Sequence, residues 1–154
     1  MKFEPDYRHL IAAVTNKRPS RLPLYEHQIN NGTIARVLGE EVRKPEGGGE
    51  SDYRDYFQKY CRFWKEMTYD TVSFEAGICP CLPDHGAIYG GRPGPILNRK
   101  DFEKYPFEKV PNLFWRNWEP QLKALRAAMP EGMKAVGVGA EHVPLPASVT
   151  EIEL

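Results

Sequence analysis

Hydrophobic positions recur three and four apart between residues 51 and 67, where Tyr53, Tyr56, Phe57, Tyr60, Phe63, Trp64 and Met67 form one stripe. That spacing predicts an amphipathic helix with Ser51 or Asp52 as its N-cap. Leu10, Ile11 and Val14 predict an earlier helix over residues 6–14, closed by Asn16-Lys17-Arg18-Pro19, which cannot continue it. Ile34, Val37 and Leu38 predict a helix over residues 29–38, with Gly39 placed to be its C-cap. Phe114, Trp118, Leu122 and Leu125 align over residues 111–129, in a helix that Pro120 divides or kinks. Short apolar runs at residues 22–25, 70–74 and 133–138 read as strands. PEGGGE at residues 45–50 reads as loop, and residues 79–97 as a long Gly/Pro-rich excursion with a hairpin turn at Gly90-Gly91.

Short apolar strands separated by helices predict an α/β fold with parallel strands covered by helices. Each run ends in the same way. The first is followed by Glu26 and His27, the second by Glu75, and the third leads to Glu141 and His142. In parallel α/β sheets and barrels the C-terminal strand ends open into the ligand crevice. The expectation is therefore that Tyr25 and Phe74 finish neighbouring parallel strands and that the acids after them share a pocket. The same residues have plainer uses: Glu26 and Glu75 suit solvated helix-capping carboxylates, and His27 and His142 suit structural hydrogen bonds.

Composition narrows the partners. The 154 residues are 41% hydrophobic, enough for one domain with a core, and 21 Lys+Arg balance 21 Asp+Glu. A balanced charge offers no attraction to phosphate backbones or anionic lipid, so neither nucleic acid nor membrane is expected as a partner. MKFEPDYRHL lacks the apolar core of a signal peptide, and a cytoplasmic location is expected. Cys61, Cys79 and Cys81 are read as reduced thiols. Cys79-Pro80-Cys81 is too close for an unstrained disulfide and lacks the second ligand pair of a structural zinc site, although His85 lies four residues on. The glycines at 90–91 and at 137 and 139 lack the strand-turn-helix context of a dinucleotide loop.

Four blocks in order carry a family likeness: RPSRLPLYEH, MTYDTVSFEAG, DHGAIYGGRPGPILNRKDFEKYPF and MPEGMKAVGVG. Together they resemble the N-terminal part of the uroporphyrinogen decarboxylase superfamily, over residues 5–139. That superfamily also contains corrinoid-linked methyltransferases. The resemblance implies a (β/α)8 barrel with its site at the C-terminal face. It casts Glu75 as the catalytic acid, matching the family's pyrrole-binding aspartate in position with one more methylene. Glu26, His27 and Gln28 would bind substrate from the first strand, and Tyr89 would serve as a lid residue. Decarboxylation in this family needs no cofactor, because the pyrrole holds the electrons. In the methyltransferase alternative, zinc bound by later strands and a corrinoid are required.

The resemblance has two departures. The family's M-R-Q-A-G-R motif after the first strand is replaced by His27-Gln28-Ile29-Asn30, so both carboxylate-clamping arginines are missing. A neutral glutamine lacks the charged fork that suits carboxylates, which argues against a porphyrinogen with many carboxylates as substrate. Length is the other departure, since a complete barrel takes about 250 residues. Residues 1–139 therefore read as a truncated barrel of about three βα units with a long loop after the second strand, and residues 140–154 as a divergent tail. Such a piece is expected to be inactive alone and to self-associate over its open sheet edges, with residues 149–154 as an added strand. The alternative from a different class is a non-catalytic oligomerising remnant.

Overall fold

A computed structural model describes residues 3–83 and 94–137. Five α-helices lie among the described residues: α1 (Arg8–Val14), α2 (Asn31–Leu38), α3 (Glu50–Glu66), α4 (Arg99–Lys104) and α5 (Val110–Ala128). Two strands, β1 (Thr71–Ser73) and β2 (Lys134–Val136), pair in parallel with Thr71 opposite Lys134 and Ser73 opposite Val136. Short 3₁₀ turns occupy Cys79–Cys81 and Phe107–Lys109.

This architecture overturns the three-unit partial barrel. The described residues hold a single parallel pair joined by a helical crossover, and residues 22–25 form no strand. The reason is local. Pro23 has no N–H to give a ladder, and Leu22, Leu24 and Tyr25 are 83%, 41% and 45% exposed, so no burial drives the segment into the sheet. Polar clasps hold it beside β1 instead. Arg21 is ion-paired with the buried Asp70 at the start of β1, and the Ser73 hydroxyl at its end donates to the Glu26 carbonyl. The segment thus follows β1 in the same direction without joining it. The expected hairpin at Gly90-Gly91, the end of the third run at Val138 and the strand at residues 149–154 lie outside the described residues.

α3 supplies the core. Tyr53, Tyr56, Phe57, Tyr60, Cys61, Phe63 and Trp64 are all buried along it, as the 3.6-residue period requires. It starts two or three residues earlier than the sequence suggests. Gly49 is the N-cap, and Asp52 reaches back to accept from the Gly49 N–H at 2.8 Å, so Asp52 caps from inside the first turn. α5 packs along α3 and buries Trp118, Gln121, Ala124 and Leu125. That burial on both sides of Pro120 lets α5 run through the proline as one element, against a penalty of about 3 kcal/mol for an interior proline. Gly39 ends α2 in the left-handed conformation, φ 68°, as its position suggests. α1 differs from its amphipathic reading, for Ile11 and Val14 are 51% and 68% exposed and no α1 residue is buried.

Two glycines fix close approaches. Gly132, at φ +81°, turns the chain into β2 while its carbonyl accepts from the Tyr7 N–H at 2.9 Å; a Cβ there would lie 2.0 Å from the Pro5 carbonyl oxygen. A Cβ on Gly137 would lie 2.6 Å from the Phe74 carbonyl oxygen, so the backbone beyond β2 meets the backbone beyond β1 directly.

Candidate functional site

At the C-terminal end of β1 the chain leaves the sheet through Ser73, Phe74 and Glu75, and this exit forms one wall of a cleft of about 210 Å³. The opposite wall is the turn into α2, His27 to Asn31, and Lys44 and the hydroxyl ends of Tyr56 and Tyr60 close the remainder. Three physical causes bring these groups together. The Ser73–Glu26 bond sets the residues after Glu26 beside the strand exit. Asn30 caps α2 by accepting from the Thr33 N–H at 2.8 Å, which turns Asn30 and Asn31 toward the cleft. Tyr60 donates to the Ser73 carbonyl at 2.7 Å, and Tyr56 to the Asn31 Oδ1 at 3.2 Å, so α3 props both walls.

Glu75 is the central acid. Its Oε1 stands 2.9 Å from His27 Nε2, in ion-pair range of a protonated imidazole. The oxygen is shielded from solvent, and no N–H or O–H among the described residues is aligned on it as a hydrogen-bond donor. The contact with His27 is thus one of close approach rather than an aligned hydrogen bond. Burial pushes the Tyr60 phenol up to about 12 and the Tyr56 phenol higher still, so both hydroxyls are neutral donors over the physiological range.

Lys44 brings the site's cation. Its ammonium lies 4.7 Å from the Trp118 ring centroid and 5.8 Å from that of Phe74. Burial lowers its pKa from the ordinary 10.5. The base of the cleft is held from α5 as well, because Trp118 Nε1 donates to the Gly77 carbonyl at 2.9 Å and ties down the loop after Glu75.

Of the residues singled out in the sequence, His27, Gln28 and Glu75 line this cleft together. The Glu26 side chain does not; it is exposed, and only its backbone carbonyl is engaged, by Ser73. The expected pairing of two acids in one pocket is therefore a pairing of Glu75 with His27. Tyr89, His85, Glu141 and His142 lie outside the described residues. Cys61, Cys79 and Cys81 are free thiols, and among the described residues no three His, Cys, Asp or Glu side chains gather as a metal-ligand set. Sequence reasoning missed Lys44, Asn30 and Asn31. The Asn30 cap had a legible signal, an Asn immediately before the periodic stretch, whereas Lys44 had none. No helix among the described residues is long and apolar enough to cross a membrane. Comparison with protein-family models, with curated proteins and with solved structures finds no match for this chain.

Proposed function

We propose that the protein is a uroporphyrinogen decarboxylase-like enzyme acting on a small molecule at the β1-end cleft. The observation that carries this reading is the Glu75 carboxylate set 2.9 Å from His27 in a cleft that Gln28 also lines. Those are three of the positions that the sequence likeness assigns to chemistry. Glu75 is the hydrogen-bond acceptor for a pyrrole-type N–H and the proton-transfer group, His27 balances its charge, and Gln28 orients substrate. In the reaction a ring carbon takes a proton and the scissile C–C bond pair moves into the ring as carbon dioxide leaves. The exocyclic carbon then takes a proton while the ring returns one, so one proton is consumed per carboxylate lost. The cleft volume of about 210 Å³ lies below the usual range for drug-sized ligands and suits one ring rather than four.

The test is turnover by the full chain on single-ring pyrrole acetates, on uroporphyrinogen, and separately of methyl transfer from a methylcorrinoid to a thiol. The inactivity expected of a truncated barrel does not carry over to a chain that is not one, and carbon dioxide release from the single-ring substrates, abolished by Glu75→Gln, is expected. Methyl transfer without decarboxylation would replace this reading with the methyltransferase one, and no turnover in any arm would refute it.

A second reading, a self-associating interaction module, is favoured by the exposed apolar residues of the unpaired segment, Leu22, Leu24 and Tyr25. Light scattering after size exclusion decides it: a dimer that Leu22→Ser disperses supports it, and a monomer at high concentration removes it.

A further inference from the structure

Lys44 enters the cleft from the loop between α2 and α3, far in sequence from the strand exit. Its ammonium is half-buried over the faces of Trp118 and Phe74. Among the described residues no carboxylate stands within ion-pair distance of it, whereas Lys59 pairs with Asp55 at 2.8 Å. Aromatic faces hold an ammonium in place but leave its N–H donors unspent. The same cleft is lined by the Glu75 carboxylate, whose Oε1 faces His27 Nε2 at 2.9 Å and whose side chain is 33% exposed. A half-buried ammonium with unspent donors and a partly exposed carboxylate lining one cleft suit a ligand that ends in their complements.

We propose that Lys44 is the anion-recognition residue of the cleft and that it selects, with Glu75, a small monocarboxylate bearing an N–H donor away from its carboxylate. The carboxylate sits on the Lys44 ammonium, and the N–H donates to the Glu75 carboxylate. The aromatic platform excludes water from the first contact, which raises its worth above that of a surface ion pair. Lys44 thus provides positive charge in a cleft whose α2 turn carries Gln28 and no arginine. The carboxylate contact stands on the cleft alone; the choice of a pyrrole N–H as its far end rests on the reading of the preceding section.

The experiment is calorimetric titration of the full chain with pyrrole-3-carboxylate, furan-3-carboxylate and pyrrole-3-carboxamide. The first has both complements, the second lacks the N–H, and the third lacks the charge. Wild type is expected to prefer the first over each of the others. Lys44→Met keeps the apolar stem over the rings and is expected to weaken the carboxylate by about 10- to 100-fold, in line with the worth of a charged hydrogen bond, while leaving the carboxamide unchanged. Glu75→Gln is expected to erase the pyrrole-over-furan preference and keep the carboxylate-over-carboxamide one. Circular dichroism of each variant verifies the fold, and Lys44→Arg restores carboxylate binding if charge is what matters. Equal binding of acid and amide by wild type, an unaltered affinity in Lys44→Met, or no binding of any of the three would overturn the proposal. Carboxylate selectivity without turnover would leave it standing and sink the decarboxylase reading alone.

Discussion

The Arg21–Asp70 clasp makes an asymmetric prediction. Asp70 is 1% exposed and accepts from both the Arg21 guanidinium and the Asp6 N–H at 2.7 Å, whereas Arg21 is 40% exposed and also donates to the Glu4 carbonyl. Asp70→Asn keeps an oxygen for the Asp6 N–H and turns a charged bond into a neutral one. The difference between those two kinds of bond, discounted for the exposure of Arg21, is about 1 kcal/mol. Arg21→Gln instead leaves a buried carboxylate without its cation, which costs about 3 kcal/mol. The double variant removes the stranded charge and is expected to be more stable than Arg21→Gln alone, with a coupling energy of about 1–2 kcal/mol. Urea unfolding followed by circular dichroism measures all three. If Arg21→Gln is no worse than Asp70→Asn, or the two effects add, the buried charge is not what holds residues 21–26 to β1. The placement of His27 would then need another cause.

Gly132→Ala is expected to lower stability by about 2–4 kcal/mol, since positive φ and a Cβ 2.0 Å from the Pro5 oxygen act together, and thermal unfolding of the variant checks this. Alkaline pH is expected to unfold the chain. Burial raises the Cys61 thiol from 9.0 to about 12 and the Tyr60 phenol from 10.0 to about 12. Both groups therefore favour the fold below their ordinary values and lose that contribution as pH climbs from 9.0 toward about 12. The lowered Lys44 value has the opposite sign, since losing its proton relieves the folded state on the approach to 10.5, but it is one group against the Cys61, Tyr60 and Tyr56 trio. Urea midpoints from pH 8 to 12 test the balance; a midpoint flat to pH 11 refutes it, and Cys61→Val is expected to delay the onset.

What was legible along the chain is what periodicity alone decides. Six of the stripe's seven positions, Tyr53 to Trp64, are buried on one face of α3 while Met67 at the C-cap is 43% exposed, and Gly39 ends α2 because only the left-handed turn fits there. Strands were less secure. Residues 22–25 and 70–74 both read as short strands, and nothing local says that only the second is buried on both sides. Pro23 was the clue: a residue that cannot donate to a ladder demotes a four-residue run to an unpaired segment. α4 falls between the loop read to residue 97 and the helix read from residue 111, although Asn98 accepting from Lys100 N and Asp101 N is a cap that the Asn-x-x-Asp spacing announces.

The site divides along the same line. Glu75 could be found because a strand exit is a place that sequence can name, and His27 and Gln28 because they follow a run of the same kind, even though that run is not a strand. Lys44 could not, because nothing in Val42-Arg43-Lys44-Pro45 distinguishes it from an ordinary surface lysine. Its role arises only when Trp118, more than seventy positions later, passes beneath it while also binding the Gly77 carbonyl. One indole thus sets both the loop that follows the acid and the platform that holds the cation. The separation between the cleft's two charges is therefore a property of how α5 packs on α3, and a substitution in that packing should alter ligand selectivity before it alters either charged residue.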